Sequence, residues 1–361
     1  MHSALLTQLG ISKPIIQAPM AGVSTPAMAA AVSNAGALGS LGIGASTPEA
    51  ARRLIQETRR LTDRPFNVNV FVHQPAVTDG AREAQWLEWL TPQFARFGAR
   101  PPGSIREIYR SFVEDSAMLA VLLEERPAIV SFHFGFPGEA VIEKLRSAGI
   151  LLMASATNPE EARAVAERDI AVIVAQGAEA GGHRGTFDPA LEDDYLGTMA
   201  LTRLLSTGID RPIVAAGGIM DGAGIAAALA LGAGAAQLGT AFVPCPESSI
   251  DEGYRRAILS TSSTTTFTSS ISGRLARSLR NSFTALDRDP KQPAVPSYPI
   301  AYDAGKALHA AAKAQGEFGF GAQWAGQGAR LSRVMPAGAL VAALDRELQA
   351  AVDSLMHNSC G

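Results

Sequence analysis

Pro14-Ile15-Ile16-Gln17-Ala18-Pro19-Met20-Ala21-Gly22 is the stretch on which the choice of fold turns. It lacks the polar alternation of a half-exposed strand, so residues 14–21 read as a buried parallel strand. A doubly wound dinucleotide fold would place G-x-G-x-x-G directly after such a first strand. Here the strand ends in Gln17–Gly22 without that motif, which disfavours the open sheet. Seven further apolar runs follow at residues 37–43, 66–72, 129–135, 150–157, 170–177, 212–219 and 235–242. Helical patterns lie between them, with Thr47-Pro48-Glu49, Asn158-Pro159-Glu160 and Asp221-Gly222 as start signals before residues 50–60, 161–168 and 223–231. Eight strands alternating with helices point to an α/β chain closing as a TIM (β/α)8 barrel.

Two stretches break the rhythm. Residues 73–128 hold a helical run at 86–97, a Pro/Gly cluster at 100–103 and a further helical stretch with Tyr109, and read as an insertion over one mouth of the barrel. Residues 244–334 hold a Ser/Thr tract (260–272), amphipathic stretches and a Gly-rich run (316–328), the material of a mainly helical cap. The division expected is a barrel over 1–243, a substrate-binding cap over 244–334 and a C-terminal segment, 335–361, whose helix returns to the barrel wall.

Composition narrows the partners. The 361 residues are 47% hydrophobic and 18% charged, with 31 basic against 34 acidic side chains and a formal charge of −3. No block of like charges offers a footprint for nucleic acid or lipid, which favours a small ligand. Two cysteines, Cys245 and Cys360, make neither a disulfide framework nor a four-thiolate metal site, and no His or carboxylate has metal-ligand spacing. The N-terminus lacks a basic segment before an apolar one, and the longest near-apolar run, 222–236, is shorter than the roughly 20 residues of a membrane span. A cytoplasmic protein is expected.

In a barrel the chemistry sits on the loops at the C-terminal strand ends. Strand seven ends in Ala215-Ala216-Gly217-Gly218-Ile219, with Asp221-Gly222 opening a helix, and strand eight in Gln237-Leu238-Gly239-Thr240. Singly, each glycine element reads as helix–strand packing; together, at adjacent strand ends, they offer amides, a hydroxyl and a helix N-terminus to a phosphate. Strand six runs into Gln176-Gly177-Ala178-Glu179-Ala180-Gly181-Gly182-His183-Arg184-Gly185. Glycines there let the backbone approach a flat ligand, and an imidazole with a near-neutral pKa suits acid–base work, although an isolated histidine more often sits on a surface loop. Glu179 reads as a bystander. Asn69 and His133 are polar residues at two other strand ends, each equally readable as a core group. Tyr298, Tyr302 and Lys306 are spaced to share one helical face if that stretch is helical, with Pro299 at its start. Such a face is as readily an amphipathic surface. Cys245 lacks an adjacent base and reads as structural.

The set formed by residues 17–22, Asn69, residues 175–186, 215–219 and 237–240 resembles the nitronate monooxygenases, and His133 with Tyr298, Tyr302 and Lys306 is similar to the class I subgroup. The Gly-Gly-His-x-Gly element also occurs in flavin-dependent enoyl reductases and NADH:quinone reductases, so an NAD(P)H-dependent flavin reductase is the alternative, and a non-catalytic FMN-binding protein a third reading. The resemblance implies an FMN enzyme with the phosphate on Gly218, Gln237, Leu238, Gly239 and Thr240. It implies that Asn69, Gln176 and Gly181 bond the flavin, that Pro19, Met20 and Ala21 lie against its ring, and that His183 is the base. His133, Tyr109, Tyr254, Tyr298, Tyr302 and Lys306 are implied to shape the pocket of a small anion such as propionate 3-nitronate. With O2 as co-substrate, the implied reaction runs through a flavin semiquinone to a carbonyl product and nitrite.

Overall fold

The computed structural model describes residues 4–358. Its strands are β1 (Ile15–Gln17), β2 (Gly39–Gly42), β3 (Phe66–Phe71), β4 (Ile129–His133), β5 (Leu151–Ala156), β6 (Val172–Gln176), β7 (Gly182–His183), β8 (Ile213–Ala216), β9 (Ala235–Leu238), β10 (Thr265–Thr268) and β11 (Ala276–Leu279). All but β7, β10 and β11 form one parallel sheet, ordered β1-β9-β8-β6-β5-β4-β3-β2. A parallel bridge between Ile16 and Leu38 joins its two ends, with Gln17 N donating to Leu38 O at 2.9 Å and Leu38 N to Ile15 O at 3.0 Å. The ring is a TIM barrel, and all eight expected strands lie in it.

The helices are α1 (Ala4–Leu9), α2 (Pro26–Asn34), α3 (Pro48–Leu61), α4 (Gly80–Ala95), α5 (Ser116–Glu125), α6 (Glu139–Ser147), α7 (Pro159–Glu167), α8 (Thr198–Gly208), α9 (Gly222–Ala230), α10 (Glu252–Ile258), α11 (Ile300–Ala314) and α12 (Ala337–Asn358). Thr25, Thr47 and Asn158 start α2, α3 and α7 in the same way: the side-chain oxygen accepts an amide of the first turn, and proline fixes the next φ. Leu5 and Leu9 of α1 pack beneath Ile16, Met153, Val172 and Val214 and close the N-terminal end of the barrel. Only the opposite mouth is left for a ligand. Leu340, Leu344 and Leu348 of α12 pack on Met28, Val32 and Ile225, so the C-terminal helix lies on the barrel wall.

The two irregular stretches differ in part from their sequence reading. Within 73–128, α5 packs against α3 and α6 and is the crossover helix from β3 to β4, so the added segment ends before it. Tyr109 lies in the irregular run between α4 and α5 rather than in a helix. The Ser/Thr tract supplies β10, which pairs antiparallel with β11, and β11 pairs with β7, so a small sheet accompanies α10 and α11 over the mouth. Its Thr265-Thr266-Phe267-Thr268 run consists of β-branched and aromatic residues, which favour a pleated surface. Trp86, Leu90 and Phe94 of α4 pack with Ile300, Ala304 and Leu308 of α11, which makes one layer of the two segments. Cys245 is buried, its thiol pushed up to about 12 mainly by burial; Cys360 lies outside the described residues. No described helix is long and apolar enough to cross a membrane.

Candidate active site

The C-terminal strand ends open into a cavity of about 420 Å³. Its floor is Pro19–Ala21, Asn69, Gln176, Gly181, Gly217–Gly218, Gln237, Gly239 and Thr240; its walls and roof include His133, His183, Tyr109, Tyr254, Tyr302, Lys306 and Trp324. Among the described residues, no carboxylate side chain lines it. Two of the residues expected there stand back. Leu238 turns its side chain into the barrel–helix core while its carbonyl accepts Ala18 N at 2.8 Å. Tyr298 sits behind Tyr109, its hydroxyl 2.8 Å from the Tyr109 hydroxyl and its ring centroid 5.1 Å from that of His183. The helix begins only at Ile300, after a cis Tyr298–Pro299 peptide, so Tyr298 is outside the shared face and only Tyr302 and Lys306 occupy it.

The floor is built from backbone. Gly217 and Gly218 have φ of +129° and +69°, a region that L side chains rarely enter. A Cβ on Gly181 would stand 2.5 Å from Gly326 N, whereas one on Gly239 would meet only Ala18 Cβ at 3.5 Å and Met20 Sδ at 3.7 Å and otherwise face open space. Ser24 Oγ accepts Met20 N at 3.0 Å and Gln17 Nε2 at 2.9 Å, fixing the turn after β1. Asn69 Nδ2 donates to Ser131 O and Oγ at 3.1 and 2.9 Å, which presents its Oδ1 as an acceptor. These uncharged amides and small residues fit a flat, phosphorylated cofactor. The N-terminus of α9, expected to join the phosphate cradle, is spent elsewhere: Asp221 Oδ1 accepts Gly224 N at 2.9 Å, and Glu347 Oε2 of α12 accepts Gly222 N at 3.1 Å. Glu179 is likewise structural, accepting Thr198 N and Oγ1, each at 2.8 Å.

His183 is pinned by pairing of β7 with β11 and by its carbonyl, which accepts Gln176 Nε2 at 3.0 Å and His133 Nε2 at 3.2 Å. Gln176 Oε1 accepts Gly185 N at 2.7 Å, so both ends of that amide hold the loop. Burial above all, then the nearby Arg274 guanidinium and the rings of His133 and His73, hold the His183 imidazole well below its usual pKa, so it is neutral at neutral pH. Arg274 packs 4.3 Å from the Phe134 ring centroid and donates to Thr186 O. His133 is held at about 4, chiefly by burial. Opposite, the Lys306 ammonium lies 5.0 Å from the Tyr302 ring centroid and 5.8 Å from that of Tyr109, with no ion pair among the described residues. Burial lowers its pKa, against the pull of Asp303. Tyr254 donates to Trp324 O and Thr240 Oγ1 accepts Gly326 N at 2.9 Å, tying the roof to the floor.

Sequence reasoning missed Ser131, Ser155, Ser272, Arg274 and Trp324, which surround the predicted groups. Ser131 was within reach, since it is two residues before His133 on one strand and so shares its face. Nothing in the Ser/Thr tract singles out Ser272.

The family model described as nitronate monooxygenase matches residues 2–347. A nitronate monooxygenase of Paraburkholderia phytofirmans is 66% identical over 353 residues, covering 98% of this chain and 96% of that protein. One of Pseudomonas aeruginosa is 55% identical over 342 residues, covering 94% and 97%. Among solved structures, nitroalkane oxidase from Streptomyces ansochromogenes superposes with a TM-score of 0.89 at 42% identity, covering 98% of this chain and all of that one. FabK from Thermotoga maritima follows at 0.75 and 28%, covering 99% of each. The chain belongs to the nitronate monooxygenase family.

Proposed function

We propose that the protein is a cytoplasmic, FMN-dependent nitronate monooxygenase that oxidises propionate 3-nitronate and other alkyl nitronates with O2 to a carbonyl product and nitrite. The observation that carries this reading is the division of one cavity: a floor of amides and glycines without a carboxylate, facing an unpaired ammonium and a neutral imidazole. FMN, when bound, supplies the one-electron chemistry between the nitronate and O2. Gly218, Gln237, Gly239 and Thr240 would hold its phosphate, Asn69 and Gly181 its polar edges, and Pro19–Ala21 its ring, while Gln176, expected on the flavin, would brace the loop beside it through His183 O and Gly185 N. In this reading residues 1–243 hold the cofactor, and 244–334, joined by Tyr109 from the 73–128 segment, select the substrate.

Lys306 is the group that would bind the anion, because an ammonium at the cavity wall without an ion-pair partner among the described residues is free to make a charge-assisted hydrogen bond to a small anionic ligand. Tyr109 and Tyr302 flank it and exclude water. His183, kept neutral, accepts the α proton of a neutral nitroalkane; the negative charge that then develops on the nitro group favours the imidazolium formed. A nitronate has already lost that proton, so His183 bears on it only through shape and polarity.

One assay separates this reading from an NAD(P)H-dependent flavin reductase. The purified yellow protein is given propionate 3-nitronate or NADH, with and without oxygen. Oxygen uptake with the nitronate alone supports the proposal; bleaching by NADH without uptake on nitronate overturns it.

A further inference from the structure

His183 Nε2 lies 2.8 Å from the hydroxyl of Ser272, a fully buried residue between β10 and β11. The same hydroxyl oxygen lies 3.2 Å from the backbone oxygen of Arg274, which has no other donor among the described residues. A serine hydroxyl has one hydrogen to give. Given to His183 Nε2, it would leave the Arg274 carbonyl without a donor and force the ring proton onto Nδ1. Given to that carbonyl, it leaves Ser272 Oγ free to accept Nε2–H, every group is paired, and Nδ1 keeps a bare lone pair. Nδ1 has no partner among the described residues, and His183 lines the cavity.

The second histidine of the site is fixed in a different way. His133 Nε2 faces only the His183 carbonyl, an acceptor, so Nε2 carries its hydrogen, and Nδ1 accepts from Ser155 Oγ at 2.6 Å. Both ring nitrogens of His133 are engaged, Nε2 by the His183 carbonyl and Nδ1 by the Ser155 hydroxyl. The cavity is left with one free imidazole lone pair.

We infer that Ser272 is a positioning residue that fixes His183 as the Nε2–H tautomer, leaving Nδ1 as the atom that receives the substrate proton. The inference rests on His183 acting as the base. In the step it describes, the α C–H bond breaks, the proton goes to Nδ1, and the electron pair moves onto the nitro group to give the nitronate.

The test is 15N NMR of the protein as isolated, labelled at histidine and assigned by the signals lost in H183N. The expected spectrum shows His183 Nδ1 unprotonated and Nε2 protonated; the reverse pattern overturns the proposal. In S272A the tautomers are expected to mix, and turnover of nitroethane to fall about threefold to thirtyfold relative to ethyl nitronate, less than the roughly 100-fold or greater effect of losing a general base. An S272A protein with the wild-type spectrum and substrate ratio also overturns it. S272T, which restores the hydroxyl, is expected to recover both. The wild-type spectrum decides the tautomer even if S272A fails to fold, and S272C then supplies the comparison. Equal losses on nitroethane and ethyl nitronate in H183N would remove the base role while the spectrum still reports the tautomer, so the two readings fail separately.

Discussion

The floor and the roof of the cavity solve different problems with different materials. The floor, at the ends of β1, β3, β6, β8 and β9, is made of glycines, short side chains and amides, and its shape is set by the barrel. The roof, from α10, α11, the run that follows α11 and the run between α4 and α5, carries the tyrosines, Trp324 and Lys306. The floor gives its shape and no charge, so an atom added there takes space from a ligand, whereas a side-chain roof sets charge and width and can change without disturbing the barrel. The contrast teaches where substitutions should abolish function and where they should retune it.

The largest effect is expected on the floor. Gly239→Val places its branches in open space rather than in the core, so the protein should keep its melting temperature while losing affinity for the cofactor by about 10–100-fold, corresponding to about 1–3 kcal/mol of overpacking. Flavin retained on a desalting column, beside a thermal melt, checks this; a variant that keeps both would break the distinction. Gly181→Ala, whose Cβ would press on the Gly326 backbone, should instead lose stability and flavin together.

Next comes His183, which joins floor to roof. His183→Asn should lower kcat/KM for a neutral nitroalkane by about 100-fold or more while changing that of its nitronate much less, as expected when a general base is removed. Steady-state kinetics on the two forms of one compound decide it, and equal losses would sink the base role. On the roof, Lys306→Met should raise KM for propionate 3-nitronate by about tenfold or more, the size of one charge-assisted hydrogen bond, with kcat little changed and the flavin retained.

The smallest effect concerns His73, wedged edge-on 4.9 Å from the Tyr298 ring with neither ring nitrogen bonded. Burial, aided by Arg274, lowers its pKa to about 4. The unfolded chain, with histidine near 6.5, therefore binds more protons below that pH, so stability present above about 6.5 is lost as the pH falls towards 4. His73→Phe should flatten that decline and change stability at pH 7 by no more than about 1 kcal/mol, because an apolar ring of similar shape replaces an unpaired polar one. Melting temperatures of the two proteins from pH 7 to pH 4 measure the difference.

The floor was the legible half. Its strands are apolar runs with turn chemistry at both ends, and the glycines at 217–218 and 239 stand at strand ends that face the cavity, so local sequence and global fold agree. The roof was legible as residue types but not as geometry. Tyr302 and Lys306 follow helical spacing and do share the cavity, whereas Tyr298 is outside the helix and Tyr109 arrives from an irregular run. The contact of Ser272 with His183 spans 89 positions and depends on β7 pairing with β11, a short strand with no periodicity to announce it. The α9 N-terminus was expected to offer free amides, but Asp221 takes Gly224 N and α12, more than 100 residues later, places Glu347 on Gly222 N. Local signals specify an element; a partner that distant in the chain can still take its free amides.

Dissolved oxygen and nitrite followed together in one vessel, on propionate 3-nitronate without NADH, show whether the protein oxidises a nitronate with O2. Oxygen is expected to fall and nitrite to accumulate with the wild-type protein, and Lys306→Met is expected to need a higher nitronate concentration to reach the same rate. Steady oxygen and no nitrite from flavin-loaded wild-type protein would contradict it.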